Sequence, residues 1–243
     1  MHRIWHPIGM LAWERFWCRQ GTDVYCGPFG DAFLTDPESD FGAHANAHLV
    51  KLQQLLDRPC LVLCGEPGIG KSKTLEAAAD DIRASLPSGE NLIWVEFRSI
   101  PDIGTFIRRT LDSEKWCAWR KSNERLTLVI DGVDEGVIRL PRFIAFLTDE
   151  LKSVDRSRLQ LILACRTAEW PTAEGEGLIG LFEDKRPSIY ELCPLREADA
   201  RMAAVERRVD PDAFLQAVLK KEVTALAARP ITLLFLLTEF DRL

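Results

Sequence analysis

This sequence has no segment long and apolar enough to cross a bilayer. Its longest near-apolar run, Ile231-Thr-Leu-Leu-Phe-Leu-Leu237, falls far short of the roughly 20 residues a spanning helix needs. The first residues lack a signal-peptide pattern, because Trp5, His6 and Glu14 interrupt the stretch. The seven cysteines are an odd number and never form C-x-x-C. Cys60, Cys64 and Cys165 lie inside apolar runs, so they read as small core residues of a protein in a reducing cytoplasm. Positive charge is also in deficit. Against 37 acids stand 31 Lys and Arg, a net charge of −6, which excludes a global basic field that would draw nucleic acid. Arg108–Arg109 and Lys220–Lys221 are short pairs of the kind found on solvated helix faces. No internal repeat, no low-complexity tract and no guanine-reading Asn/Thr-Lys-x-Asp element is present.

What the chain has is a phosphate-binding loop in its proper context. Gly65-Glu66-Pro67-Gly68-Ile69-Gly70-Lys71-Ser72 fits G-x-x-x-x-G-K-[ST]. The apolar Cys60–Cys64 stretch before it reads as a buried strand, and the segment from Lys73 onward as a helix. Loop N–H groups and the helix N-terminus then face phosphates; Lys71 reaches the β- and γ-phosphates, and the Ser72 hydroxyl ligates Mg²⁺. A second motif is Arg125-Leu-Thr-Leu-Val-Ile-Asp131-Gly-Val-Asp134-Glu135, an apolar run ending in acids. Such a run reads as a parallel strand buried on both faces, with Asp131 at the carboxyl end, where α/β sheets bind ligands. Asp131 takes the role of Mg²⁺ holder, and Glu135 that of the acid polarising the attacking water, with Asp134 its competitor. A third apolar run, Leu159–Cys165, ends at Arg166, placed to feel a γ-phosphate.

Together these segments resemble the NACHT-like branch of the STAND P-loop ATPases. The Asp131-Gly132-Val133-Asp134-Glu135 pattern is the hallmark, and Cys165-Arg166-Thr167 is similar to that family's sensor. Leu226-Ala-Ala-Arg229-Pro230 resembles its proline motif, which implies Pro230 near the nucleotide. Trp13–Trp17 and Leu34–Glu38 look like the leader of prokaryotic defence-type relatives. The sequence departs where Ala164-Cys165-Arg166 replaces the Thr-Ser-Arg of many relatives, and no winged-helix segment follows Pro230. The resemblance implies ATP or ADP with Mg²⁺ as cofactors and adenine selection by contacts near Asp36–Gly42 and Pro230. It also implies a signalling switch that self-associates or meets a partner protein when ATP is bound. A degenerate ADP-holding module without turnover and an AAA+-type remodelling ATPase stay open as alternatives.

The expected fold is α/β: a three-layer P-loop NTPase with a mostly parallel five-stranded sheet and a helical segment after it. Strands are expected over 61–65, 92–97, 126–131, 159–165 and 188–193, and the resemblance implies their order as 5-1-4-3-2. Helices are expected over 44–57, 71–85, 102–120, 139–154 and 197–209, with more helix over 211–240. Residues 1–20 read as helix or cover, and 21–42 and 173–180 as loops. The domains divide as a leader over 1–43, an NTPase core over 44–195 and the start of a helical lid over 196–243. The apolar helix near the end suggests a piece of a longer protein. His44 and His48, spaced i, i+4, read as packing or surface residues rather than metal ligands, as do His2 and His6. Trp116 and Trp119 read as core.

Overall fold

The computed structural model describes residues 13–27, 32–85, 91–136, 138–186 and 188–240. The chain divides into two compact units. A sheet unit holds Trp17–Asp23 and His48–Cys193; a helical unit holds Met1–Phe16, Val24–Ala47 and Pro194–Leu243, so far as these are described. The strands are β1 (Phe16–Arg19), β2 (Val50–Lys51), β3 (Cys60–Cys64), β4 (Leu92–Glu96), β5 (Leu126–Asp131), β6 (Leu159–Ala164) and β7 (Ile189–Leu192). The helices are α1 (Gly42–Ala45), α2 (Lys71–Ser85), α3 (Ile103–Phe106), α4 (Glu114–Lys121), α5 (Leu140–Leu151), α6 (Thr172–Gly180), α7 (Glu197–Glu206), α8 (Pro211–Lys220), α9 (Thr224–Ala227) and α10 (Pro230–Thr238).

The sheet unit is a three-layer α/β fold. Its strands run in the order β2-β1-β7-β3-β6-β5-β4. The five from β7 to β4 are parallel to their neighbours, and they are the five expected strands in the 5-1-4-3-2 order. Two more strands correct the five-strand expectation. β1 pairs antiparallel with β7, placing strand where helix or cover was expected, and β2 lies beyond it. The central parallel strands β3, β6 and β5 have no solvent face, so alternate residues feed two different cores. From β3, Cys60, Val62 and Cys64 enter one core, Leu61 and Leu63 the other. β5 and β6 divide in the same way. Leu75, Ala78 and Ile82 of α2 cover the second face. The first is covered by α5, whose Leu140, Phe143, Ile144, Leu147 and Leu151 fall on one helical stripe.

Three further expectations needed correction. The helix over 44–57 is instead α1, β2 and a 3₁₀ turn at Leu52–Leu55. The helix over 102–120 is broken: α3 passes into a π-helical turn at Ile107–Leu111, and α4 restarts where the Ser113 side chain accepts from the Trp116 N–H. Residues 173–180 form α6, not a loop. Gly175 is there for close packing: a Cβ on it would stand 2.4 Å from the Trp170 ring. Trp116 and Trp119 are core, their rings 5.0 Å apart, with Arg158 over the Trp119 ring.

The helical unit has its own interior, formed by residues such as Phe33, Leu195, Phe214 and Leu233. Ala200, Ala203 and Ala204 on α7 are fully buried, and their small size lets helices approach closely. The segment expected as loop is tied by Asn46, whose side chain accepts from the Tyr25 N–H and donates to the Tyr25 and Thr35 carbonyls. Buried Arg196 is clasped by Asp199 through both Nε and Nη2, and its Nη1 reaches Glu14 and Asp36. Among the described residues no helix is long and apolar enough to cross a membrane. No group of three metal-ligating side chains occurs there either. His44 ends in the short α1, its ring on the Asp40 carbonyl, so the i, i+4 pair with His48 does not share a helix. His2 and His6 lie outside the described residues.

Candidate functional site

The site is built at the carboxyl ends of three adjacent strands, β3, β6 and β5. After Cys64 the chain leaves the sheet through Gly65, where a Cβ would stand 2.9 Å from Ile69 Cγ2. Gly68 and Gly70 have φ of +75° and +98°, which glycine adopts without penalty. The Ile69 N–H closes the turn on the Glu66 carbonyl at 3.3 Å, and Ile69 itself is buried against the core. This plants the loop while Glu66, Pro67 and Gly68 stay exposed. Helix α2 begins at Lys71, and Thr74 donates to the Gly70 carbonyl through both its N–H and its hydroxyl.

Lys71 Nζ donates to the Gly65 carbonyl at 2.6 Å. Burial pulls its ammonium below the ordinary lysine value, and Asp134 and Asp131 resist that pull. Asp131 is pushed above the usual aspartate range, mainly by burial. The facing Ser72 hydroxyl and the Lys71 charge lower it, while Glu135 and Glu76 raise it further. Lys73 points along the helix and pairs with Glu76 at 2.5 Å.

Beyond Asp131 the chain turns at Gly132, with φ +68°, and the Val133 N–H donates to the Ala164 carbonyl at 3.0 Å. That bond ties the acidic turn to β6. Asp134 is 3% exposed and Glu135 42% exposed. The Arg166 N–H donates to Asp134 Oδ1 at 3.0 Å, and Arg166 Nε is 3.1 Å from Asp134 Oδ2. Oδ2 nevertheless has no hydrogen-bond donor, so that contact is an ion pair without an aligned N–H. Arg166 Nη2 stands 3.8 Å from Glu135 Oε1. At Gly136 the turn lies on Phe97, where a Cβ would stand 2.7 Å from ring carbons.

The structure thus brings Lys71, Ser72, Asp131, Asp134, Glu135 and Arg166 together. Pro230 opens α10 in the helical unit. Two residues at the site escaped the sequence reading. Glu96, the last residue of β4, lies in register with Asp131, and Arg98 pairs with it at 3.1 Å. Glu96 holds the Arg98 guanidinium above its ordinary value, with lesser help from Glu135 and Asp131. The signal was an acid closing an apolar strand, as Asp131 closes β5.

The residues present fit a phosphate chain and a hard divalent cation. A fixed ammonium, a glycine-shaped loop and the start of a 15-residue helix suit phosphate oxygens. A hydroxyl facing a carboxylate suits Mg²⁺. The strand order and the loop between β3 and α2 define the fold class, the P-loop NTPases. No family model matches the chain, and no curated protein matches it. Similar solved structures include Cdc6p from Pyrobaculum aerophilum, at 14% identity and TM-score 0.42, covering 61% of this chain and 42% of that one. A Walker-type ATPase of Pyrococcus abyssi is 13% identical, with TM-score 0.44 and coverage of 79% and 65%. The RuvB Holliday junction branch migration motor of Thermotoga maritima is 18% identical, with TM-score 0.41 and coverage of 75% and 54%. The chain spans less than two thirds of each.

Proposed function

We propose that this chain binds ATP with Mg²⁺ and hydrolyses it slowly as a nucleotide-controlled switch. The convergence of Lys71, Ser72 and Asp131 around the loop supports this reading most directly. Lys71 leaves the Gly65 carbonyl for the β- and γ-phosphates, and the loop N–H groups bind the same chain of oxygens. Ser72 and Asp131 hold the cation, and a bound Mg²⁺ offsets phosphate charge and the mutual repulsion of Asp131, Glu135 and Glu76. Glu135, partly open to solvent, orients the attacking water and takes its proton. Arg166 turns its terminal nitrogens to the γ-phosphate.

The finer reading is a cytoplasmic NACHT/STAND signalling module of the defence type. It rests on the resemblance carried by Asp131–Glu135, Arg166 and Pro230. In it ATP holds an association-competent state and hydrolysis resets it.

The test is isothermal titration of ATP·Mg²⁺ into wild type and Lys71→Ala. Affinity should drop at least tenfold in a variant that keeps its circular dichroism. Equal affinity in a folded variant removes the P-loop assignment. Competition against a fluorescent ATP analogue should rank ATP and ADP above GTP; GTP displacing it equally well removes the STAND reading. Bound nucleotide without product after long incubation selects the non-hydrolysing ADP-type module instead.

A further inference from the structure

Asp134 lies beside the candidate catalytic acid, yet it is not placed like a group that meets water. Its side chain is buried while that of Glu135, one residue on, is open. Both of its oxygens are turned to Arg166: Oδ1 takes the backbone N–H, and Oδ2 stands against Nε. The hydrogen bond therefore falls on the main chain, and the ion pair on the inner nitrogen of the guanidinium. The terminal nitrogens point away from this contact, Nη2 standing 3.8 Å from Glu135 Oε1 on the side of the candidate catalytic acid. On its other side Asp134 is the acid that acts most strongly on the Lys71 ammonium. The tie from Val133 to Ala164 holds the whole turn against β6, so Asp134 cannot move independently of the strand that carries Arg166.

We propose that Asp134 is a positioning residue that acts through Arg166. It orients the guanidinium so that its terminal nitrogens meet a γ-phosphate, and it thereby lets the site distinguish a nucleoside triphosphate from a diphosphate. This rests on the nucleotide-binding reading above. A guanidinium ion-paired at Nε beside a backbone N–H already bound to the same acid has its rotamers narrowed, so less freedom is lost when it meets the phosphate. Once released, it is a flexible exposed side chain that must be ordered by the nucleotide itself.

The experiment is a double-mutant cycle read by isothermal titration with ATP·Mg²⁺ and with ADP·Mg²⁺. Wild type, Asp134→Ala, Arg166→Ala and the double variant are compared as full chains. Asp134→Ala and Arg166→Ala should each lower the ratio of ATP to ADP affinity by about tenfold. The double variant should go no lower than Arg166→Ala alone, because one residue acts through the other. ADP affinity should stay near wild type in all four. Asp134→Asn keeps an oxygen for the backbone N–H but sets an NH₂ against Nε, so it should lose part of the discrimination. It also carries the comparison if Asp134→Ala fails to fold. Equal loss of ATP and ADP affinity marks a merely structural residue and overturns the proposal. So does an additive double variant, an unchanged ratio, or a wild type that does not discriminate. Failure of the nucleotide reading itself looks different: Lys71→Ala would then bind as wild type does.

Discussion

The two units treat apolar side chains in opposite ways. In the sheet unit the strands fill two cores, and the charged residues of the candidate site stand at the carboxyl ends of β5 and β6 and at the start of α2. In the helical unit lie all seven large apolar side chains found exposed among the described residues, including Ile231 at 64% and Phe235 at 63% on α10. That same unit buries the pair Arg196–Asp199, with Asp36 and Glu14 joining it from partly exposed positions. The difference teaches that the sheet unit keeps packing and chemistry in separate places. A charge at a strand end can be removed without touching a core. The helical unit mixes the two, with charge inside and hydrocarbon outside.

The separation is tested hardest by Glu135→Gln. It should lower ATP hydrolysis by about 10²–10⁴-fold, the scale of lost general-base assistance, and leave ATP affinity and melting temperature near wild type. Phosphate release under saturating ATP measures it. If Asp134→Asn is slow while Glu135→Gln keeps the wild-type rate, the catalytic acid is Asp134; a drop in melting temperature would blur the separation. Phe143→Ala is the converse. Phe143 is fully buried, 4.2 Å from Phe97 and 5.0 Å from Phe106 between ring centroids. Its loss should cost about 3–5 kcal/mol in urea unfolding. Arg196→Met asks whether the helical unit depends on its internal charge. Asp199 would then be left fully buried with the backbone N–H of residue 196 but no countercharge, at a cost of about 3 kcal/mol. A neutral outcome would reduce the cluster to a bystander. Phe235→Ser should have the smallest effect, within about 0.5 kcal/mol, because the side chain is already in water. A loss above about 1 kcal/mol would show that this face is covered in solution, and the contrast between units would fail.

The sheet was legible in sequence because its parallel strands are buried on both faces and so read as unbroken apolar runs. Strand β5 falls on its expected residues for the same reason, and helix α2 does so because its Ala-, Leu- and Glu-bearing run carries strong helix formers. β1 and β2 were not legible: four and two residues are too few for a period to declare itself. Gly175 looked like a turn residue, but what it answers is the Trp170 ring, a contact with no trace in local composition. At the site, the residue types at strand ends could be read one at a time. The grip of Asp134 on Arg166 could not, since 32 residues separate them and only the β5–β6 register brings them together.

The contact between Gly136 and Phe97 reaches beyond one molecule. Phe97 is no part of the site, yet its ring decides which residue can follow the acids, because a methyl group at 136 would fall on it. The two positions are therefore not free to drift separately. Gly136→Ala should be tolerated beside Phe97→Leu and rejected beside the intact ring. Among related chains, alanine at one position paired with phenylalanine at the other would break that rule. A core residue with no part in any reaction thus restricts the history open to the turn that carries it out.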